Sequence, residues 1–371
     1  MTQATPLGKL LSSGAQPALA AYRGVLTPRE FDASTAETAA LVSAAAVHDL
    51  GWLRRVAVRG EDRFRWLSGM VTNMVNDLGA NAGAWNLVLN AQGRIQGDLY
   101  VWREGNELEL EIAADQFEGL MAHLNHFIIM DDVELVPLEE ETALGLAGPL
   151  ADDVLGRLSL PTLTEPMTST RVEWNGFDLR VVRGYGVLAP HYEFWLASAG
   201  LETLWRSLCS AGATPVGTSS LEAFRIAEGI PVYGIDMVER DLPQETSQMR
   251  ALHFNKGCYL GQEIVERIRS RGSVHRHLRS LELTGPVAVG GTELILDNGT
   301  QAGHITSAAE LPLAAGSRIF ALGMIRAEAE LQTQKRELVT TGPETSSSAF
   351  NYTSAGATTG NAHILAAPPT L

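Results

Sequence analysis

Lys256-Gly257-Cys258-Tyr259-Leu260-Gly261-Gln262-Glu263 gathers a cation, a thiol, two glycines and a carboxamide–carboxylate pair into one short stretch. Glycines on either side of Cys258-Tyr259-Leu260 open turn conformations closed to other residues and leave the sulfur uncrowded. From Gln262 to Arg271 the spacing predicts a helix, with Ile264 and Ile268 on one face and Glu263 four residues before Arg267. Lys256, two residues before the cysteine, and the nearby helix start would each favour the thiolate. The plain alternative is a buried cysteine acting as a small hydrophobe.

The rest of the chain sets the frame. Its 371 residues suffice for two or three domains with a sizeable core. Apolar residues make up 45% and charged ones 19%, a globular balance. A formal charge of −15 disfavours broad attraction to nucleic acid or anionic membrane, so an anionic ligand needs local cations. Two cysteines, Cys209 and Cys258, give no disulfide framework, and a reducing cytoplasm fits. No apolar run is long enough to span a bilayer, and no Cys/His cluster has metal spacing.

Residues 1–20 read as a flexible N-terminus and 34–48 as a helix. Trp85, Leu87 and Leu89 alternate with polar or smaller neighbours, and Arg94 to Trp102 follows after a turn. Leu108, Leu110 and Ile112 then alternate with Glu107, Glu109 and Glu111, giving strands with one buried face. Asp115 is the expected N-cap of a helix carrying Phe117, Leu120, Leu124 and Phe127. A second α+β unit follows 159–170, with strands at Phe177–Val181 and Tyr192–Ala197 and helices over 201–208 and after the capping box Ser219–Glu222. From Leu278 short strands return, with Asp297-Asn298-Gly299 as a hairpin turn. Residues 341–371 hold one charged side chain, Glu344, and 339–371 are expected to be a disordered tail.

The octapeptide resembles the signature K-G-C-[FYW]-x-G-Q-E of YgfZ-type folate-binding proteins, a branch of the aminomethyltransferase (glycine cleavage T-protein) superfamily. Leu89-Asn90-Ala91-Gln92-Gly93-Arg94 through Asp98-Leu99 resembles the superfamily's N-x-x-G-G-x-x-D-D-L. Arg225 with Glu228-Gly229-Ile230-Pro231-Val232-Tyr233-Gly234 resembles its R-x-E-A-G-x-x-x-Y-G. The resemblance implies an α+β, three-domain cloverleaf with a central folate site and a small C-terminal β-barrel. Its first, discontinuous folate-binding domain would comprise 21–55 with 140–274, its second 56–139, and its barrel 275–338. It places Asp98 at the transferases' catalytic aspartate and Glu193 at their pterin-binding glutamate. Arg225 would meet ligand oxygens, and Tyr233 and Trp85 would flank the ligand. Two departures stand against aminomethyl transfer: Gly97 replaces the first aspartate, and Leu53-Arg54-Arg55-Val56-Ala57 replaces D-V-S-H-M, losing its histidine.

The implied role is a tetrahydrofolate-binding accessory protein for assembly or repair of iron–sulfur proteins, with effects on enzymes that thiolate tRNA, rather than an enzyme. Cys258 would be its working thiol; one cysteine cannot hold a cluster alone. Partners would be folate and iron–sulfur proteins or their assembly machinery, with no membrane and no direct nucleic acid. A true tetrahydrofolate-dependent aminomethyltransferase is one alternative. An RNA-binding module is the other, using Arg267, Arg269, Arg271, His275, Arg276, His277 and Arg279. Each site residue also has a plainer reading. Asp98 could be a turn residue, Glu193 a solvated strand carboxylate, Arg225 a helical partner of Glu222, and Trp85 and Tyr233 core.

Overall fold

The computed structural model describes residues 2–12, 17–272, 274–339, 349–354 and 358–371. In chain order the helices are α1 (Pro6–Leu11), α2 (Ser34–Ser43), α3 (Arg63–Met70), α4 (Ala114–His126), α5 (Ala151–Arg157), α6 (Leu201–Ser210), α7 (Thr218–Glu228), α8 (Gln262–Arg271) and α9 (Ala327–Val339). The strands of the first half are β1 (Leu19–Tyr22), β2 (Val25–Pro28), β3 (Ala46–Asp49), β4 (Leu53–Arg59), β5 (Ala82–Leu89), β6 (Ile95–Glu104) and β7 (Glu107–Ala113). Then come β8 (Glu134–Pro137), β9 (Glu141–Ala147), β10 (Thr168–Trp174), β11 (Phe177–Arg183), β12 (His191–Ala197) and β13 (Thr214–Pro215). The last six are β14 (Arg276–Thr284), β15 (Glu293–Ile295), β16 (Gln301–Leu311), β17 (Arg318–Arg326), β18 (Ala349–Thr353) and β19 (Thr359–Ile364).

The chain divides into two compact units. The first holds 1–90, 96–221 and 250–260; the second holds 91–95, 222–249 and 261–371. In the first, eleven strands form one sheet in the order β13-β3-β9-β12-β11-β10-β5-β6-β7-β4-β8. Strands from the two stretches expected as separate domains, 56–139 and 140–274, therefore share one sheet. Two cores cover it. One packs Leu144, Leu146, Phe194 and Tyr192 against Leu201, Leu204, Trp205 and Leu208, the apolar face that the spacing of α6 predicts. The other packs Val56, Leu108, Leu110 and Ile112 against Trp66, Leu67, Leu120 and Leu124.

The second unit contains a closed barrel, β14-β17-β16-β15-β18-β19. Leu281, Leu283, Leu294, Ile305, Phe350, Tyr352 and Ala362 fill it. Its β15–β16 hairpin turns through Gly299 at φ 83, as Asp297-Asn298-Gly299 predicts.

Several expectations are corrected. The first residues are not a loose terminus: Thr5 caps α1 through its hydroxyl, which accepts from the Gly8 amide, and Leu7 is buried. The helix expected over 34–48 ends at Ser43, and Ala46–Asp49 is a fully buried strand instead. Alanine suits either state, and here burial decides. Asp115 lies inside the first turn of α4, after the cap residue Ala113, and pairs with Arg23. The tail expected to be disordered supplies β18 and β19, which pair with each other and with β15 and β14. Phe350 and Tyr352, two apart, both point into the barrel, so a short alternation outweighs a composition poor in charge. Residues 340–348 of that stretch, Glu344 among them, lie outside the described residues.

Candidate functional site

The octapeptide is a bracket. Lys256 is buried, and its Nζ donates to three carbonyls: Ser68 at 2.8 Å, Val71 at 2.6 Å and Asn73 at 2.7 Å. Ser68 and Val71 belong to the C-terminal end of α3, whose carbonyls lack helical partners. The Leu260 amide donates to Gly69 at 2.9 Å, and Tyr259 is buried beneath the Lys256 ammonium, 5.1 Å from its ring centre. Burial pushes Lys256 down to about 7; three acceptors oppose this, since only the ammonium supplies three N–H groups. Lys256 is therefore spoken for by α3, which corrects its expected role as the cation that promotes the thiolate. What the bracket does is hold Cys258, which is exposed. Gly261 takes the left-handed conformation (φ 80) just before α8, which spans the residues that the spacing predicts.

Cys258 and Cys209 differ sharply. Cys209 is half-buried in α6, and burial pushes its thiol up. Iodoacetamide labelling of the native protein is expected to modify Cys258 first, with Cys209 slow. Peptide mapping that finds Cys209 modified first would reverse the assignment.

The remaining expected residues fall into both units. Trp85, Asp98 and Glu193 belong to the first; Arg225 and Tyr233 belong to the second. Arg225 bonds Glu222, the Ile230 carbonyl and Asp236, at 2.8 Å for the last. Asp236, fully buried, also accepts from the Thr306 and Ser307 hydroxyls, each at 2.6 Å. Tyr233 makes a bridge with Met237. Three members of the basic run are engaged within the chain: Arg276 pairs with Asp241 and Glu245, Arg279 with Glu330 and Arg269 with Glu266.

In the first unit Asp98 is well held. Its Oδ2 accepts from Trp85 Nε1 at 2.8 Å and its Oδ1 from Gln116 Nε2 at 2.9 Å, while its amide donates to Gln116 Oε1 at 3.0 Å. A Cβ at Gly97 would lie 2.8 Å from both Gln116 Oε1 and Leu120 Cδ2, so glycine at 97 makes room for the side chain that orients Asp98. Trp85, Tyr100 and Trp102 form a stacked ladder with centroids 6.3 and 6.4 Å apart. Arg250 lies over Trp85 at 4.7 Å and over Tyr185 at 3.6 Å. Its Nε and Nη1 are buried and find no acceptor among the described residues. Sequence reasoning missed Arg250, which stands in a single 3₁₀ turn, Met249–Ala251, too short to show any periodicity.

Glu193 is buried rather than solvated. Its Oε2 accepts from Trp195 Nε1 at 2.9 Å, and its Oε1 lies 3.9 Å from His191 Nε2. The Glu111 carboxyl is raised well above its ordinary value by burial and then by the negative charge of Glu193. Glu111 Oε2 accepts from Trp102 at 2.8 Å and from Arg55 at 3.2 Å. Arg55, in the segment where the expected histidine is missing, lies over Trp195 at 4.5 Å and pairs with Glu109 at 2.8 Å.

His48 completes the row. It and Glu193 are both cross-strand partners of Gly145, so the three share a face. A Cβ on Gly145 would lie 2.0 Å from His48 Cε1. His48 stacks on His191 at 5.6 Å, both its ring nitrogens lack partners among the described residues, and burial pushes it down to about 3. Its unfolded counterpart takes a proton near 6.5, so its share of stability is whole above that pH and is lost as pH falls toward 3. Between pH 7 and 4.5 the wild type is expected to lose about 2–3 kcal/mol more stability than His48→Leu. Urea unfolding at both pH values checks this; equal losses in the two proteins would show that His48 does not titrate so low.

Three comparisons agree with this architecture. The family model described as "GCVT N-terminal domain" matches residues 14–256. A chloroplastic candidate transferase of Arabidopsis thaliana is 27% identical over 292 residues, 76% of this chain and 66% of that protein. An aminomethyltransferase of Rubrobacter xylanophilus is 29% identical over 287 residues, 73% of this chain and 76% of that protein. Among solved structures, the glycine cleavage system aminomethyltransferase T of Bartonella henselae superposes with a TM-score of 0.85 at 18% identity, covering 100% of this chain and 99% of that one. That likeness establishes an aminomethyltransferase-like fold with mixed α and β content, ending here in a six-stranded barrel. Among the described residues no helix is long and apolar enough to cross a membrane.

Proposed function

The chain belongs to the family of the GCVT N-terminal domain, and from that premise we propose that it binds tetrahydrofolate or a derivative through Trp85, Asp98 and Glu193 and acts as a YgfZ-type accessory protein for iron–sulfur proteins. The observation that carries the folate reading is the set of groups gathered in the first unit. Two oriented carboxylates suit the N–H edge of a pterin, a stacked aromatic ladder suits its flat ring, and the unpartnered donors of Arg250 suit its oxygens. When bound, the folate would supply a one-carbon carrier. The chain's own part is to orient it: Gln116 fixes both the backbone and the carboxylate of Asp98.

Cys258 supports the accessory role by its exposure on an anchored loop. It would act by thiol–disulfide exchange with a partner's disulfide, or by transient ligation of iron delivered by a partner. The cytoplasmic setting and the effect on tRNA-thiolating enzymes belong to the same reading.

Calorimetry is the first test. Wild type is expected to bind tetrahydrofolate, and Asp98→Asn to weaken binding by about one to two decades, the cost of one charge-assisted hydrogen bond. Absence of binding by wild type overturns the folate reading. In a deletion strain, wild type is expected to restore iron–sulfur enzyme activity and Cys258→Ala to fail; full rescue by the alanine variant overturns the thiol role.

A second reading, aminomethyl transfer, is favoured by Asp98 itself, whose carboxylate is fixed by two donors where the transferases keep their catalytic aspartate. Relatives named aminomethyltransferases accord with it. Formation of methylene-tetrahydrofolate from an aminomethyl-lipoyl carrier protein decides between the two.

A further inference from the structure

We propose that the Arg250 guanidinium is a movable cover over the Trp85 ring, and that a flat heterocycle stacks on that ring only after Arg250 swings aside. The identity of the heterocycle rests on the folate reading; the cover rests on the geometry alone.

Trp85 is the ring offered to the ligand, yet it is only 5% exposed. Nothing flat can stack on a face that is already covered, so one of the groups against it must move. Tyr100 and Trp102 are strand residues of β6, fixed by its ladder with β7. Arg250 is held far less firmly. No hydrogen bond or ion pair engages its side chain among the described residues, and its Nε and Nη1 are buried without an acceptor. Its guanidinium is kept in place by two rings, 4.7 Å from the Trp85 centre and 3.6 Å from that of Tyr185. Such contacts are weak beside the charge-assisted bonds that tie Arg55 and Arg180 to Glu109.

The main chain beneath the cover is fixed. Asn73 Nδ2 donates to the carbonyls of both Arg250, at 2.8 Å, and Trp85, at 3.0 Å, and the Ala251 carbonyl accepts from Thr72 Oγ1 at 2.7 Å. Uncovering Trp85 is therefore a change of Arg250 rotamer, not a rearrangement of the backbone. Tyr185, half-buried between Gly184 and Gly186, is the outer layer.

The closed arrangement favours its own opening by the right ligand. Two buried N–H donors without acceptors are costly. A guanidinium that leaves Trp85 can turn those donors onto oxygens of the ring that replaces it, and the flat ring restores the contact that the flat guanidinium gave up. The ligand class that fits this exchange is a planar heterocycle with acceptor oxygens at its edge. A purely apolar ring would leave Arg250 unmet.

The cover is tested without ligand. Acrylamide quenching of Trp85, taken as the difference between each protein and its Trp85→Phe counterpart, is expected to rise several-fold in Arg250→Ala. Should the Tyr185 ring fall onto Trp85 in place of the guanidinium, the double variant Arg250→Ala, Tyr185→Ala decides. Quenching unchanged in both overturns the cover. The gate is then read by stopped-flow mixing with tetrahydrofolate. Opening before binding sets a ceiling, so the wild-type rate is expected to level off as folate rises and the Arg250→Ala rate to keep climbing linearly. Equilibrium affinity of Arg250→Ala is expected to be about one to two decades weaker, because both donors are gone. A linear rate in wild type, or a ceiling that survives in Arg250→Ala, overturns the gate even where affinity falls. A wild type that binds no tetrahydrofolate, beside an Arg250→Ala that bares Trp85, sustains the cover and refutes the folate reading instead.

Discussion

A chain ended at residue 339 is expected to lose the folded barrel. The truncation removes β18 and β19, leaving β14 and β15 with open edges where six strands now close. It also strips Phe350, Tyr352 and Ala362 from the barrel core. Removing one buried aromatic of that kind costs about 3–5 kcal/mol. Losing two, with their ladders, consumes most of the roughly 5–15 kcal/mol that holds a domain together. Exposed strand edges then invite aggregation. Calorimetric scanning of the truncated chain is expected to show the barrel transition gone, and Phe350→Ala to lower it by several degrees. A truncated protein with the full-length melting profile would mean that the last two strands do not close the barrel.

Lys256→Met is expected to destabilise the first unit by about 3–5 kcal/mol. The substitution keeps the apolar stem but leaves the Ser68, Val71 and Asn73 carbonyls without their donor. Unmet buried acceptors cost about 1–3 kcal/mol each, and breaking a buried charged contact falls in the upper range. Arginine is not expected to rescue it, because a planar fork cannot point three donors at carbonyls gathered around one nitrogen. Equilibrium urea unfolding measures the effect; a midpoint within a few tenths of wild type would reduce Lys256 to a spectator.

Both expectations reverse what the sequence suggests by itself, for physical reasons. The helix Gln262–Arg271, the left-handed Gly261 and the Gly299 hairpin are legible because each rests on local spacing or on backbone freedom. Lys256 is not: its partners lie 183 to 188 residues away, and nothing local marks them. Glu109 and Glu111 alternate with leucines and so read as a solvated face. Yet the face is buried, because Arg55 and Arg180 are brought to it by distant strands. In the tail, Phe350 and Tyr352 are too few to raise a hydropathy average but enough to seat two strands. Of the expected site, Asp98 and Trp85 are joined by a direct bond and Glu193 lies buried in the same unit, while Arg225 is engaged by Glu222 and Asp236. Whether a polar residue faces ligand or neighbour depends on tertiary partners, which spacing does not record.

Gly97 and Gln116 are sterically interdependent. A side chain at 97 would collide with Gln116 and Leu120, so the two sites do not vary independently. An aspartate at 97 would force the Gln116 and Leu120 side-chain ends to move, and with them the bond that orients Asp98. Glutamine at 116 in turn is admissible only where 97 is bare. The two positions are therefore coupled, and a change at one alters the cost of a change at the other. The epistasis is measurable as a double-mutant cycle, in which Gly97→Asp is worse with Gln116 present than with Gln116→Ala.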